Sequence, residues 1–199
     1  AIDAVKQYHG NTLEVPVYWY QLEPEEGVYD LSQVEELILR VRASGLKLII
    51  LWFGSSKNSD MTYVPEWVKA DPDRFWMAVA PDGEVTPQIS PFCTACYEAD
   101  KAAFVEMMKA IRRIDEQERT VIAVQVENEI GLYPLDRCYS ETANRVFADG
   151  VPDALMNLVI PDSGAKDAGR DWYDHFGRHA HEVFTCWHFA QAVESIASA

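Results

Sequence analysis

The stretch Thr120–Gly131, T-V-I-A-V-Q-V-E-N-E-I-G, constrains this chain more than any other. It opens as an apolar run rich in Val and Ile, the composition of a buried strand. It then turns polar at Glu127-Asn128-Glu129 and stops at Gly131. Barrel enzymes build their sites from buried parallel strands that deliver a carboxylate to the C-terminal end. On a regular strand Gln125, Glu127 and Glu129 share one face, the interior face in a barrel. An isolated inward carboxylate is costly, so such a Glu needs partners or a task.

The rest of the chain supplies a setting for that strand. Ala1–His9 reads as the end of a helix, stopped by Gly10. Thr12–Trp19 is β-rich, although Pro16 weighs against a central strand because it cannot donate to the ladder. After the acidic turn Leu22–Tyr29, Asp30 and Gln33 make a capping-box pattern. Leu31, Val34, Leu37, Ile38 and Val41 recur at helical spacing up to Gly45. Leu46–Phe53 is a second strand.

A long connection, Gly54–Tyr97, holds Trp67, Trp76 and a Pro-Asp-Gly turn at Pro81–Gly83. Within it Pro65–Lys69 and Asp71–Trp76 could each form a helical turn or two. The spacing of Ala103, Phe104, Met107, Met108, Ile111 and Ile114 predicts a helix over Tyr97–Asp115. Thr120–Glu127 is the third strand. Leu132–Arg178 shows no strong period and reads as a long insertion, with one short helix near Pro152–Val159. His179–Ala197 reads as a closing helix that packs through Val183, Phe184, Trp187, Ala190 and Ile196.

Each strand is thus followed by helical material, and the long loops leave the C-terminal ends of the second and third. The three should lie side by side, parallel and in chain order, with helices outside. Three strands cannot close a barrel. The expected class is α/β, either an open sheet or part of a larger (β/α)8 barrel.

Composition narrows the function classes. A net charge of −15 argues against nucleic acid and anionic membrane surfaces as partners. No stretch approaches the roughly 18 apolar residues of a membrane span. Of the four cysteines, Cys93 and Cys96 form a lone C-x-x-C. A zinc ribbon needs a second such pair, so free thiols near a helix start are the favoured reading. Neither a metal nor an organic cofactor is called for.

Four blocks carry a resemblance. V-Q-V-E-N-E-I-G resembles the acid/base strand of glycoside hydrolase families 35 and 42, the β-galactosidases of the large (β/α)8 clan. V-P-V-Y-W-Y-Q-L-E-P-E-E-G-V-Y-D resembles their second strand and its acidic turn. L-I-I-L-W-F-G-S-S-K-N resembles the third strand and its substrate loop, and V-P-E-W-V the Pro-x-Trp segment after it. The likeness covers residues 1–131 best and is closest to bacterial family 35 proteins.

The resemblance implies that residues 1–199 are one incomplete catalytic barrel, about strands 2–4, truncated at both ends. It implies Glu129 as general acid/base and Asn128 as the ligand of the sugar hydroxyl beside the scissile bond. Glu127 would be an inner-barrel support or one half of a structural ion pair. Trp52 and Asn58 would line the sugar pocket, although Lys57-Asn58 stands where family 35 commonly has Cys-Ala-Glu. Trp19 could face that pocket or the core, and His188 could reach the pocket or pack its helix.

The implied reaction is retaining hydrolysis of a β-galactoside, with a carbohydrate as partner. The nucleophile Glu belongs to a seventh strand outside this chain, so the chain alone should be inactive. An inactive carbohydrate-binding relative and a clan member acting on another β-glycoside are the alternatives. The sugar, linkage, oligomeric state and compartment are not readable.

Overall fold

The computed structural model describes residues 2–58, 60–161, 163–164 and 169–199. Three parallel strands form its centre: β1 (Thr12–Tyr18), β2 (Lys47–Lys57) and β5 (Val121–Asn128), in the order β1-β2-β5. This is the expected order, with β2 between two edge strands. Pro16 sits on an edge strand, where a missing N–H is tolerated.

Helix α1 (Ile2–Gln7) leads into β1, and Gly10 caps it through Val5 O at 2.8 Å. A short helical turn, α2 (Trp19–Leu22), follows β1. Helix α3 (Ser32–Ala43) starts where Asp30 accepts from the Ser32 N–H at 3.0 Å. It ends at Gly45, whose φ of +72° suits a residue without Cβ. The long helix α5 (Thr94–Asp115) begins three residues earlier than the periodicity predicts.

Helices α3 and α5 cover one face of the sheet. Leu48, Ile50 and Trp52 point into that layer and are fully buried against Val34, Ile38 and Val41 of α3 and Phe104 and Met107 of α5. Ile49 and Leu51, on the other face, are only half-buried. Helices on one face, long loops at the strand ends and a barely covered second face make the chain a partial (β/α)8 barrel.

The connection after β2 holds more structure than its sequence suggests. A short helix, α4 (Glu66–Lys69), lies where helical turns are expected. Residues from Asp71 make a single turn, with Phe75 N–H bonded to Asp71 O at 2.9 Å. Then β3 (Met77–Val79) and β4 (Val85–Ile89) form an antiparallel hairpin about the Pro81–Gly83 turn. Cys93 and Cys96 are buried free thiols at the start of α5.

The insertion after β5 contains α6 (Glu141–Ala148), α7 (Trp172–Phe176) and, at Asp153–Leu155, one 3-10 turn in place of the helix expected over Pro152–Val159. With α8 (Ala180–Ala197) they enclose a second core of Val151, Leu155, Trp172, Phe176, Ala180 and Phe184. No described helix is long and apolar enough to cross a membrane.

One polar knot ties three elements at the far end of the sheet. Asp115 accepts from Arg42 at 2.7 Å and from the Val121 N–H at 2.7 Å, joining α3, α5 and β5. Burial alone would raise the Asp115 pKa, but the Val121 N–H and the Arg42 guanidinium outweigh it and hold the carboxyl below its usual range. Its stabilisation is therefore full above the usual carboxylate range and is lost as pH falls through the depressed value. Asp115→Asn should cost about 1.5–3 kcal/mol near neutral pH, the range for a hydrogen bond to a charged group. Urea melts of wild type and variant from neutral to acid pH check this. The gap should narrow on the acid side.

Candidate active site

The strand ends are shaped by an irregular pairing. Trp52 pairs with Val126, but the next partners are Lys57 and Asn128, so Phe53–Ser56 face the single residue Glu127. A bulge of this kind re-aims side chains and bends the strand. Opposite it, Glu127 and Glu129 have φ of +61° and +51°, and Asn58 has +54°. Left-handed backbone costs a non-glycine residue roughly 1–2 kcal/mol and gathers at functional sites.

That backbone breaks the alternation expected along the strand. Gln125 and Glu129 are exposed, whereas Glu127 is buried and turned toward α5. The left-handed turn at Glu127 is the physical reason that the three do not share an inward face.

Around Glu129 the residues after the bulge converge. Lys57 Nζ lies 3.3 Å from Glu129 Oε2 and also bonds Asn58 Oδ1. The Asn58 N–H donates to Asn128 O at 3.3 Å. Asn128 Oδ1 is buried and has no hydrogen-bond partner among the described residues. An orphaned acceptor beside a carboxylate suits a ligand that brings its own hydroxyl donors. Thus Asn58, Asn128 and Glu129 meet at the C-terminal ends of the strands.

Trp52 and Trp19 do not join them. Trp52 is fully buried, its Nε1–H donates to Asp100 at 2.7 Å, and its ring meets Phe104 edge-on. Trp19 is equally buried, donates to Glu23 at 2.7 Å and packs edge-on against Trp67. Both are core residues here, because their indole N–H groups find buried carboxylates on the helix side. Trp67 and Trp76 also pack against the core. His188 packs on Phe92 and Phe184, and burial lowers its pKa to about 4, so it is a neutral packing residue.

A group the sequence reading missed is a set of tyrosines at the ends of β1 and β2. Tyr18 lies 4.6 Å from Tyr63 and 5.7 Å from Phe53, ring centre to ring centre. Phe53 in turn lies under Lys57 Nζ at 5.1 Å. Tyr18, Tyr20 and Tyr63 keep part of their surface open. The signal is the Y-W-Y at the end of the first strand, where two tyrosines flank Trp19. No cluster of His, Cys, Asp or Glu among the described residues could hold a metal ion.

Two solved structures share the architecture. One is the cold-adapted β-galactosidase from Rahnella sp. R3, with TM-score 0.58 and 18% identity over 74% of this chain. The other is the β-galactosidase from the psychrophilic Marinomonas ef1, with TM-score 0.58 and 17% identity over 73%. The chain spans 20% and 21% of their lengths, and at such identities the likeness is one of fold. No curated protein matches. The family model described as β-galactosidase, glycoside hydrolase family 42, matches residues 1–188, and of the two families the blocks resemble it is to this one that the chain belongs.

Proposed function

We propose that the chain supplies the acid/base half of a retaining β-galactosidase, with Glu129 as the general acid/base. The observation that carries this is the placement of Glu129. It leaves the C-terminal end of a parallel strand, in a chain of the β-galactosidase family, beside the buried orphan acceptor of Asn128.

The chemistry needs two carboxyl groups about 5–5.5 Å apart. Glu129 protonates the leaving oxygen while the second carboxylate attacks the anomeric carbon. The bond to the leaving group breaks as the bond to the carboxylate forms. Glu129, now ionised, then takes a proton from water, which displaces the enzyme carboxylate and restores both groups. Asn128 and Asn58 bind sugar hydroxyls, and the open faces of Tyr18 and Tyr63 offer a stacking surface. Every step is a proton transfer or a displacement at carbon, so none requires a cofactor.

Glu127 cannot be the second carboxyl, because it is turned away toward α5. The nucleophile is assigned to a segment beyond this chain, and the chain alone should hydrolyse no aryl galactoside. The test is to treat the intact protein with an activated 2-deoxy-2-fluoro-β-galactoside, which traps the glycosyl-enzyme, and to map the label by peptide mass spectrometry. A labelled carboxylate outside residues 1–199 is expected. A label within them, or an inverted product from a normal galactoside, would overturn the assignment.

A further inference from the structure

Behind Glu129 lies a second pair of carboxyl groups that the reaction does not use. Asp100 of α5 and Glu127 of β5 are both buried and converge on one donor, the Ser55 N–H. Asp100 accepts from Trp52 Nε1 and from the Ser55 N–H, each at 2.7 Å. Glu127 accepts from the same Ser55 N–H at 3.2 Å, from Ser55 Oγ at 3.4 Å and from the Ser56 N–H at 2.9 Å. None of these donors is a cation. The geometry points to Asp100 and Glu127 as carboxyls that share one proton and act as positioning residues for the acid/base Glu129, an inference that rests on the role proposed for Glu129.

The charge argument is direct. Two carboxylates this close, away from water and without a cation, cannot both ionise. Burial pushes the Glu127 carboxyl well above the usual Glu range, and the neighbouring Asp100 adds to it. The other titratable groups facing the pair come from the start of α5 and the residue before it: Cys96, Tyr97 and Cys93. Burial raises all three, so they stay protonated and supply no positive charge.

The positioning argument follows the chain. The pair holds the Ser55 and Ser56 amides of the bulge on one side and the left-handed turn of β5 on the other. The residue after Ser56 is Lys57, and two residues after Glu127 comes Glu129. Lys57 and Glu129 then meet at 3.3 Å. Both members of the outer pair are therefore set by the inner pair, which anchors them to the rigid helix α5.

The folded pair holds a proton that the unfolded chain releases once pH exceeds the ordinary Glu range. Its contribution to stability is thus full below that range and falls as pH rises toward the raised folded value. Glu127→Gln has no such proton, so this slope should vanish.

The test uses the intact protein and two variants. Glu127→Asp keeps the carboxyl but is one methylene too short to reach Ser55 and Ser56 together. Glu127→Gln keeps the length, can accept the Ser56 N–H through its amide oxygen and donate its NH2 toward Asp100, which retains the Ser55 N–H, but it has no proton to lose. On an aryl β-galactoside, Glu127→Asp should lower kcat about 100-fold with KM within about threefold, the cost of an ångström of misplacement. Glu127→Gln should stay within about threefold of wild type in both constants. Infrared difference spectra at neutral pH, wild type minus Glu127→Gln, should show the carbonyl stretch of a protonated carboxyl. Equal losses in both variants, or none in either, would overturn the positioning role. A missing band would overturn the shared proton. A wild type inactive on every galactoside would overturn the reading of Glu129 and the positioning role with it, and the infrared band would still decide the shared proton.

Discussion

In the intact enzyme, Glu129→Gln should lower kcat/KM by about 10³–10⁴-fold for galactosides with poor leaving groups, the upper part of the range for general acid catalysis. Galactosides of acidic phenols should lose about tenfold or less in the same constant, because their leaving groups depart without a proton. The reason is that kcat/KM reports the first step, glycosylation, in which the proposed role of Glu129 is that of an acid. In the second step the same proposal makes Glu129 the base. The variant should therefore accumulate the glycosyl-enzyme with activated substrates, and kcat should fall even where kcat/KM does not. Azide requires no deprotonation, so it should restore turnover on those substrates and yield the glycosyl azide. A series of aryl galactosides of graded leaving-group pKa, with and without azide, measures all of this. Equal losses across the series would remove Glu129 from the acid/base role.

How far this site was legible depends on which physical signal reports each residue. The order β1-β2-β5 could be read because apolar runs bounded by glycines and caps mark buried parallel strands directly. The position of Glu129 at the end of a buried parallel strand could be read because an apolar run that closes on a carboxylate marks the strand's end. Trp52 was misplaced because β2 is apolar at successive positions, so periodicity cannot say which face meets the helices. Leu48, Ile50 and Trp52 share the helix face, and Trp52 has an acid waiting there in Asp100. Glu127 was misplaced for a different reason. Alternation assumes extended backbone, and a φ of +61° opposite a bulge turns the side chain to the other layer.

The insertion carried local signals that its lack of long-range period obscured. Ser140 accepts from the Ala143 N–H at 3.2 Å and starts α6. Asp171 accepts from the Tyr173 N–H at 2.8 Å and starts α7. Both are ordinary cap residues. Neither helix is long enough to show a periodic face, and both take their apolar partners from α8. Phe147 and Trp172 meet Phe184 at 5.0 and 5.2 Å, a contact no local window contains.

Gly54→Ala should be among the most damaging single changes in the chain. A Cβ there would lie 2.4 Å from Asp100 Oδ2, 2.4 Å from Glu127 Oε1 and 2.5 Å from Trp52 Nε1. The three atoms belong to α5, β5 and β2, so relief in one direction closes another. Two of them already share the Ser55 N–H, and the third is bonded to Asp100. The methyl must therefore break a buried hydrogen bond or displace an element. Overpacking costs about 1–3 kcal/mol and an unsatisfied buried polar group about as much again, so a loss of roughly 3 kcal/mol or more is expected.

Gly27→Ala is the control for this. Gly27 has φ +75° and nothing within 4 Å of the added Cβ, so that substitution meets backbone strain alone. Its cost should be near 1–2 kcal/mol, the usual penalty for a left-handed non-glycine residue. Urea melts of the two variants of the intact protein separate lack of space from lack of conformational freedom. If Gly54→Ala proves no worse than Gly27→Ala, the three elements do not converge at Gly54 as tightly as the Asp100–Glu127 pair requires.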